Sequence, residues 1–484
     1  MLSLLRRQLF KSPIVRNQIL QQCCISNVQV PFQDDLSAAD NDDFNLGDFQ
    51  HYKESDDIIA MKLELANPTF HNDKEKVVPK PIEAQKENSP FCNELSEVVG
   101  IKEPMVFVSK LTNPYLNLAV EDYIYNQMPK PEDPSTNYNR LMFYINSPCV
   151  VIGKNQNPWK EVNLPLLNSL HIPLIRRRSG GGTVVHDQGN VNYSFMTTKE
   201  RFDRFTFANI IKDAVNASNQ SKYQLEVNDR GDITTTTQED GINYKISGSA
   251  YKLSKGKSYH HGTMLLNSRL DILGKLLSRD ETKLGVVDAT NSISSVKSKV
   301  TNLEIDSQTF IDAITSGFKE SYGLAEEINR GELSLEEQEA LEQNELLGLG
   351  DFIEANSNSR FARVVTVDDA TVLPDAVNQM ADELKSWGWR YGGTPKFTHQ
   401  LSNDKFGFKV KFIVGKGAIL EGFELEFIGN ESKLISEKKI TESFKYLEAF
   451  IKNNKLEYTG SNVAGFITND FISDWVGESI DGTI

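Results

Sequence analysis

Residues 175–195 read IRRRSGGGTVVHDQGNVNYSF, a run that few folds can accommodate. Three adjacent glycines, Gly180–Gly182, weaken any helix or strand and predict a loop whose backbone bends unusually or approaches a partner closely. The preceding Arg176–Arg178 favours an anionic ligand, because backbone N–H groups beside fixed guanidinium charges are typical of a phosphate site. The spacing matches neither a Walker loop nor a dinucleotide fingerprint. A glycine turn beside a solvated basic run stays open as the alternative.

The overall charge makes this arginine run a local feature. The chain has 484 residues and a formal net charge of -15, which argues against a general nucleic-acid binder. Hydrophobic residues make up 39% of the sequence, but no apolar run approaches the length of a membrane span. We therefore expect a multidomain protein with no nucleic-acid partner and no membrane span.

The first 33 residues differ from the rest of the chain in charge. They carry Arg6, Arg7, Lys11 and Arg16, and no acidic residue precedes Asp34. Several leucines and a phenylalanine could share one face of a helix, with the cations on the opposite face, a pattern typical of a mitochondrial transit peptide. Residues 1–33 are therefore predicted to be a transit peptide that directs the protein to the matrix. A plain basic tail is the alternative. The four cysteines form no disulfide framework, which fits a reducing compartment.

Composition and hydrophobic pattern divide residues 34–484 into a linker, two domains and a connector between them. Residues 34–104 are predicted to be an acidic disordered linker, since they are rich in charge and lack a sustained period. Patterned sequence from 105–325 predicts the main domain, with a helix that opens at Asn113. A capping box predicts an acidic helical connector over 326–358, and a smaller domain over 359–484 contains a half-buried hairpin near 406–427. We expect an α+β fold with mixed or antiparallel sheets flanked by helices.

Two further segments carry candidate chemistry. Lys245 precedes Ser-Gly-Ser, where its ammonium could hold a carboxylate or phosphate, although a solvated lysine is the commoner case. His260 and His261 precede a glycine and an apolar strand. No cysteine or histidine lies at metal-ligand spacing from this pair, so a zinc site is not expected.

The succession of motifs is more specific than any one of them. In order stand GKNQNPWKEVN, RRRSGGGTVVHDQGN, ND, KISGSAYK, HHGTMLLN and SSVKSKVTNL, and this order resembles the lipoate–protein ligase family over residues 105–323. A weaker likeness follows at 387–397, WGWRYGGTPKF, to the start of that family's accessory domain. The resemblance implies a two-step reaction. Lipoate and ATP, with Mg²⁺, give lipoyl-adenylate, and the acyl group then passes to a lysine of a lipoyl domain.

The resemblance also implies roles for individual residues. Lys245 would contact the carbonyl and phosphate oxygens of the intermediate, as an electrostatic catalytic group and not a nucleophile. Asp229 would stand near the adenylate and its Mg²⁺. The residues that would bind substrate or adenylate are Arg177, Ser179, Gly180, Gly181, Gly182, His186, Asp187, Asn228, Asp229 and His261. Arg178 has no assigned role.

Two rival functions stay open, although the second would be expected to lack the glycine loop or Lys245. A lipoyl- or octanoyltransferase would take its acyl group from an activated donor without the ATP step, and a non-catalytic protein would bind lipoyl domains. A cysteine thioester route is disfavoured, because the last cysteine, Cys149, lies in an apolar strand. The expected acceptors, from the family alone, are the E2 subunits of 2-oxoacid dehydrogenases and the glycine-cleavage H protein. The acyl substrate is lipoate or octanoate, and apolar residues around the first strands and in the NQNPW segment, which ends at Trp159, would hold its chain.

Overall fold

The computed structural model describes residues 61, 94–133, 136–236, 241–322, 324–325, 360–361, 363–429 and 435–483. The predicted transit peptide and the whole predicted acidic connector lie outside these residues. The last part of the predicted linker lies inside them. There a short helix buries Leu95 and Val99 in the core, so ordered structure begins before residue 105.

The described chain contains helices together with mixed and antiparallel sheets, which confirms the α+β expectation. The strands are β1 (Met105–Ser109), β2 (Arg140–Tyr144), β3 (Cys149–Ile152), β4 (Leu174–Arg176), β5 (Val184–His186), β6 (Asn190–Thr198), β7 (Glu226–Val227), β8 (Ile233–Thr236), β9 (Asn243–Lys245), β10 (Ser247–Ser254), β11 (Lys257–Leu265), β12 (Val286–Asp288), β13 (Leu324–Ala325), β14 (Arg360–Phe361), β15 (Arg363–Val367), β16 (Phe397–Asn403), β17 (Phe408–Val414) and β18 (Leu420–Phe427).

The helices of the described residues are mostly short. They are α1 (Leu95–Val99), α2 (Pro114–Gln127), α3 (Pro158–Glu161), α4 (Leu164–Ser169), α5 (Thr206–Ser218), α6 (Leu270–Leu277), α7 (Glu281–Leu284), α8 (Ser307–Ser321), α9 (Asp375–Lys385), α10 (Trp387–Arg390), α11 (Glu437–Ser443), α12 (Lys445–Asn453), α13 (Gly460–Ala464) and α14 (Asp470–Ile480). None of them combines the length and apolarity that crossing a membrane requires.

The largest sheet runs in the order β10-β11-β6-β2-β1-β15. The strands from β10 to β2 pair antiparallel, and β1 pairs parallel with both β2 and β15. Because side chains alternate along a strand, β2 sends Met142 to one face and Phe143 to the other. Helices α2 and α9 cover the Met142 face, and α5 and α8 cover the Phe143 face. The sheet is therefore buried on both sides.

Helix α2 begins as its sequence predicts. The Asn113 side chain accepts hydrogen bonds from the N–H groups of Tyr115 and Leu116, and Pro114 occupies the first turn. A proline costs nothing there, since a first-turn N–H has no partner within the helix. This cap fixes the start of a helix that carries Glu121 and Asp122 toward the site described below.

A second, three-stranded sheet, β4-β3-β5, stands beside the first. Its central strand β3 contributes Val151 to the core beneath α2 and Val150 to a separate core shared with the C-terminal residues. The loop from β4 to β5 contains the three glycines. The sequence thus folds its most unusual segment at the junction of two sheets.

The C-terminal half contributes strands both to the largest sheet and to a separate antiparallel sheet. Strand β15 extends the largest sheet, whereas β12 pairs with β16 in the antiparallel sheet β12-β16-β17-β18. The predicted hairpin is confirmed as β17 and β18. Chain segments on either side of residues 326–358 therefore share sheets, and the predicted domain boundaries there stay predictions.

Candidate active site

The glycine loop, residues 177–183, is braced from within by Arg177. The buried guanidinium donates hydrogen bonds to the carbonyls of Gly180 (2.6 Å), Gly182 (2.7 Å) and Val151 (3.3 Å), and to the Ser179 hydroxyl (3.0 Å). Burial lowers the pKa of Arg177 to about 10, so the guanidinium is charged at neutral pH. Most N–H donors of Arg177 thus bond the loop itself, whereas the sequence predicted that they would bond a phosphate.

Glycine is required at the tip of this loop. Gly181 has a φ of +87°, a left-handed conformation that side chains disfavour. A Cβ atom at Gly181 would lie 2.9 Å from the Arg177 Nη2 atom. On the other side, a Cβ atom at Gly153 would lie 2.1 Å from the Gly181 carbonyl oxygen. These close approaches confirm the predicted loop in which backbone packs tightly.

The first arginine of the run is a structural tie. The buried Arg176 guanidinium donates to the carbonyls of Lys154 (2.9 Å) and Gln156 (2.8 Å), and its Nε donates to the carbonyl of Arg390 (2.9 Å). It also bonds the Thr394 hydroxyl at 2.8 Å. Arg176 therefore fixes the loop after β3 to the segment after α9, and it does not face the pocket described below.

The third arginine faces protein carboxylates. Arg178 forms ion pairs with Asp122 (3.2 Å) and with Glu383, and its guanidinium lies 4.9 Å from the ring centroid of Trp389. Asp122 also accepts from Lys252 Nζ at 2.6 Å. The expectation that the arginine run as a whole meets an anionic ligand is therefore wrong, because Arg176 and Arg178 bind other parts of the chain.

A buried chain of hydrogen bonds runs from helix α2 to the glycine loop. Glu121 Oε1 lies 2.8 Å from His261 Nδ1, and His261 Nε2 lies 2.7 Å from Ser179 Oγ. Burial alone would raise the pKa of Glu121, but the charge and hydrogen bond of His261 lower it below its ordinary value. The Ser179 hydroxyl also accepts a hydrogen bond from Arg177, so these hydrogen bonds connect helix α2 to the arginine that holds the glycine loop.

His186 and Asp187, the pair that follows the glycines, have different surroundings and different contacts. His186 is buried and lies 2.9 Å, through Nδ1, from the Asn146 side-chain nitrogen. Burial, with the nearby charge of Arg177, lowers its pKa to about 3. Asp187 instead accepts backbone N–H groups of Gly189 (2.9 Å) and Arg269 (2.8 Å), and burial raises its pKa. His186 faces the site, whereas Asp187 shapes a turn.

Lys245 stands at the end of β9 in an ion pair. Its Nζ lies 2.6 Å from Asp232 Oδ1, and both side chains are mostly buried. Asp232 also pairs with Arg230 at 3.2 Å. The Lys245 backbone is held on the other side, since its N–H donates to the Lys299 carbonyl and its carbonyl accepts from Thr301. A compact cation beside a carboxylate is thus placed at a strand end.

The acidic partner is Asp232, where the sequence predicted Asp229. The Asn228 side chain accepts from the N–H groups of Arg230 and Asp232, both at 3.0 Å, and so forms the turn that presents Asp232. Asp229 is exposed and contributes its backbone carbonyl to Arg204. The turn reverses the chain between the two aspartates, which corrects the assignments of Asn228 and Asp229. The signal missed was an aspartate directly before strand β8.

These groups converge on a pocket of about 290 Å³. Of the predicted site residues, the pocket is lined by Arg177, Gly181, Gly182, His186, Lys245 and His261. Its buried lining includes the hydrophobic side chains of Leu118, Tyr144 and Val151. Its mouth carries Ile293 and Val296, which are 52% and 64% exposed. Ser179 and Gly180 support the loop from behind.

One residue of the mouth segment is pinned to the glycine loop. The Ser295 hydroxyl oxygen accepts from the Thr183 N–H (2.9 Å) and from Gln156 Nε2 (3.0 Å), and the Ser295 N–H donates to Glu161 (3.1 Å). Sequence motifs alone gave no role to Ser295 or Gln156. Their contacts close one side of the pocket over the loop.

Comparison with known proteins decides the family. The model of the lipoyl protein ligase A/B catalytic domain matches residues 113–319. A protein of Saccharomyces cerevisiae named "Putative lipoate-protein ligase A" is 34% identical over 343 residues, which are 71% of this chain and 72% of the relative. A protein of the same name from Schizosaccharomyces pombe is 34% identical over 66% of this chain and 79% of its own length. The chain belongs to the lipoate–protein ligase family.

The family assignment confirms the resemblance found in the motifs and makes the chain an enzyme. Among solved structures, P. falciparum LipL1 in complex with lipoate is 24% identical, with a TM-score of 0.43, over 78% of this chain and 98% of that chain. A non-catalytic binder is set aside by the family model and by the relatives named as ligases.

One predicted part of this ligase's acyl site lies elsewhere. Trp159 of the NQNPW segment was expected to hold the acyl chain. It is buried in the C-terminal core instead, stacked on Phe397 with ring centroids 5.1 Å apart. The expectation for the first strands holds in part, since Val151 of β3 and Tyr144 of β2 line the pocket.

The described residues of the ligase offer few ligands for a metal ion. Within the described residues no group of three or more His, Cys, Asp or Glu side chains could hold a metal ion. Asp232 is the one carboxylate among the described residues that line the pocket. A single oxygen ligand fits Mg²⁺ that arrives with substrate phosphates, which provide the other ligands.

Proposed function

We propose that this ligase condenses lipoate with ATP to lipoyl-adenylate and then transfers the lipoyl group to a lysine of a lipoyl domain. One observation carries the proposal: the Lys245–Asp232 pair, the glycine loop and the buried side chains of Leu118 and Val151 line one pocket. Apolar lining suits an acyl chain, and a cation suits the acyl phosphate. Mg²⁺ would enter as part of the nucleotide substrate, next to Asp232.

In the first step, an oxygen of the lipoate carboxylate attacks the α-phosphorus of ATP. The bond to the β-phosphate oxygen breaks and pyrophosphate leaves. Negative charge builds on the non-bridging oxygens, where a fixed cation lowers the barrier because it needs no rearrangement during the reaction. The Lys245 ammonium, held by Asp232 at 2.6 Å, is placed to supply that charge.

In the second step, the acceptor lysine loses one proton to become a neutral amine and attacks the acyl carbon. The bond to the AMP oxygen breaks, AMP leaves with the electron pair, and the nitrogen releases its second proton as the amide forms. The oxyanion that forms in between needs a donor. Lys245 serves both steps, since the acyl carbonyl and the phosphate adjoin in the adenylate.

A donor comparison tests this function. Purified enzyme with an isolated lipoyl domain is supplied with lipoate plus MgATP, with lipoyl-CoA, or with preformed lipoyl-adenylate, and the domain's mass is measured. We expect the gain of a lipoyl group with lipoate plus MgATP, with one pyrophosphate released per group, and with the adenylate alone. Modification by the adenylate or acyl-CoA without any by lipoate plus MgATP would instead identify an acyltransferase.

We further propose that the enzyme acts in the mitochondrial matrix on E2 subunits of 2-oxoacid dehydrogenases and on the glycine-cleavage H protein. The support is the basic character of residues 1–33 and the family. A fusion of residues 1–33 to a fluorescent reporter should enter mitochondria, and a cytosolic signal would refute this. Incubating each acceptor separately with the enzyme, lipoate and MgATP tests the partners.

A further inference from the structure

A directed chain of hydrogen bonds leads from strand β1 to the pocket. The Leu111 N–H donates to Ser109 Oγ (3.2 Å), and the Ser109 hydroxyl donates to Asn117 Oδ1 (2.7 Å). The Asn117 amide nitrogen donates to the Leu111 carbonyl and to Asn146 Oδ1, both at 2.8 Å. A carbonyl only accepts, so Asn117 Nδ2 must be the NH₂ group. This orientation then fixes the orientation of Asn146.

The chain ends at His186 and sets its tautomer. With Asn146 Oδ1 occupied as an acceptor, the atom 2.9 Å from His186 Nδ1 is the Asn146 NH₂ group, which only donates. His186 Nδ1 is therefore unprotonated, and a neutral imidazole carries its proton on Nε2. Asn117, Asn146 and His186 are all buried, so water does not compete for these bonds. Burial also keeps the imidazole neutral, with a pKa of about 3.

His186 lines the pocket in its buried part, as do Tyr144 and Val151. Within the described residues its Nε2 has no hydrogen-bond partner. Asn192, another buried polar residue of the lining, is satisfied by the protein: it donates to the Tyr144 carbonyl (3.2 Å) and accepts from Asn190 (3.0 Å). The His186 Nε2–H group is thus a directed donor in the pocket that awaits an acceptor from the ligand.

We propose that His186, held as its Nε2–H tautomer by the Asn117–Asn146 relay, donates to the tail of the acyl substrate and selects lipoate over octanoate. This rests on the proposed function. With the reacting carboxyl at Lys245, the acyl tail reaches the buried end. A dithiolane sulfur there is a weak acceptor, whereas the octanoate methyl group would bury the N–H without a partner. The assignment makes His186 a specificity residue and Asn117 and Asn146 positioning residues.

Competition between the two acids tests the selectivity. The ratio of kcat/KM for lipoate to that for octanoate is measured for wild type, His186→Leu and His186→Gln, with MgATP and a lipoyl domain. We expect His186→Leu to lower the ratio about tenfold, mainly through lost lipoate use. His186→Gln, whose amide NH₂ replaces the ring donor, should retain most of the preference. An unchanged ratio in His186→Leu overturns the proposal.

The relay has its own readout. Nitrogen-15 NMR of histidine-labelled protein distinguishes protonated from bare ring nitrogens, and the His186 signals are those that His186→Gln removes. We expect a proton on Nε2 and a bare Nδ1 in wild type. In Asn146→Asp, whose carboxylate only accepts, Nδ1 should become protonated. A protonated Nδ1 in wild type, or a bare one in Asn146→Asp, overturns the relay. Wild type that used neither acid would instead refute the proposed function, and the NMR result would still stand.

Discussion

The glycine loop is held by many short hydrogen bonds around the buried Arg177 side chain, whereas the Lys245–Asp232 wall across the pocket is held by few. Arg177 alone bonds three carbonyls and a hydroxyl of the first wall. On the second wall, Arg230 is exposed and the ion pair of Lys245 is the main side-chain contact. Rigid positioning suits the loop that shapes the ligand site. The position of the Lys245 charge depends mainly on its one ion pair with Asp232.

The largest effect is expected on the second wall, from Lys245→Ala. Removing the cation should lower lipoyl transfer by about 10³-fold, since its charge acts in both steps. Stability should change by less than about 1 kcal/mol, because the side chain is not in a packed core. Lipoylation is measured by mass, and the free energy of unfolding by urea titration.

Lys252→Ala is the matched control for this variant. Lys252 forms a 2.6 Å ion pair with Asp122 and is about as buried as Lys245, but it does not line the pocket. Transfer within about threefold of wild type is expected. Equal losses in both variants would show that ion pairs support the fold and that Lys245 has no special role.

The next largest effect separates the two aspartates of the turn. Asp232→Asn should lower transfer by about 10²-fold, because it removes the charge that holds Lys245 and the carboxylate next to the substrate Mg²⁺. Asp229→Asn should change transfer by less than about threefold, since Asp229 is exposed and uses its backbone carbonyl. The reverse order would restore the sequence-based assignment of Asp229.

This pair of aspartates shows where sequence stops predicting. Local signals sufficed for the helix that Asn113 caps, for the hairpin of β17 and β18, and for a glycine loop that packs closely. Such features depend on neighbours within a few residues. The family motifs added Lys245, which does lie in the pocket. Which of two nearby aspartates reaches the lysine depends on a turn that only the folded hairpin defines.

Long-range contacts were harder still to predict. Strand β15 joins the largest sheet although it follows β1 by more than 250 residues, and Trp159 leaves the acyl site for the C-terminal core. Arg178 was left without a role because its partner Glu383 lies on a distant helix. No local pattern encodes such pairings, since they depend on how whole sheets meet.

Arg177→Lys tests whether the glycine loop needs the hydrogen bonds of Arg177 or only its charge. A lysine keeps the charge but cannot bond several carbonyls in a plane. If Arg177 braces the loop, stability should fall by about 2 kcal/mol and transfer by about 30-fold. Arg178→Lys, at a partly exposed site, should cost less than about 1 kcal/mol. Full activity in Arg177→Lys would indicate that only a point charge is needed.

The smallest effect concerns pH. Burial lowers the pKa of His186 to about 3, below the ordinary value of 6.5, so the unfolded state binds a proton that the folded state does not. The resulting stability is present above pH 6.5 and is lost as the pH falls from 6.5 toward 3. Between pH 7 and pH 5 this one residue should lower the free energy of unfolding by about 2 kcal/mol.

The free energy of unfolding of His186→Gln, measured by urea titration, should therefore fall by about 2 kcal/mol less than that of wild type over that range. Equal losses in His186→Gln and wild type would show that the imidazole takes up a proton in the folded state, and the glycine side of the pocket would then be less enclosed than its contacts imply.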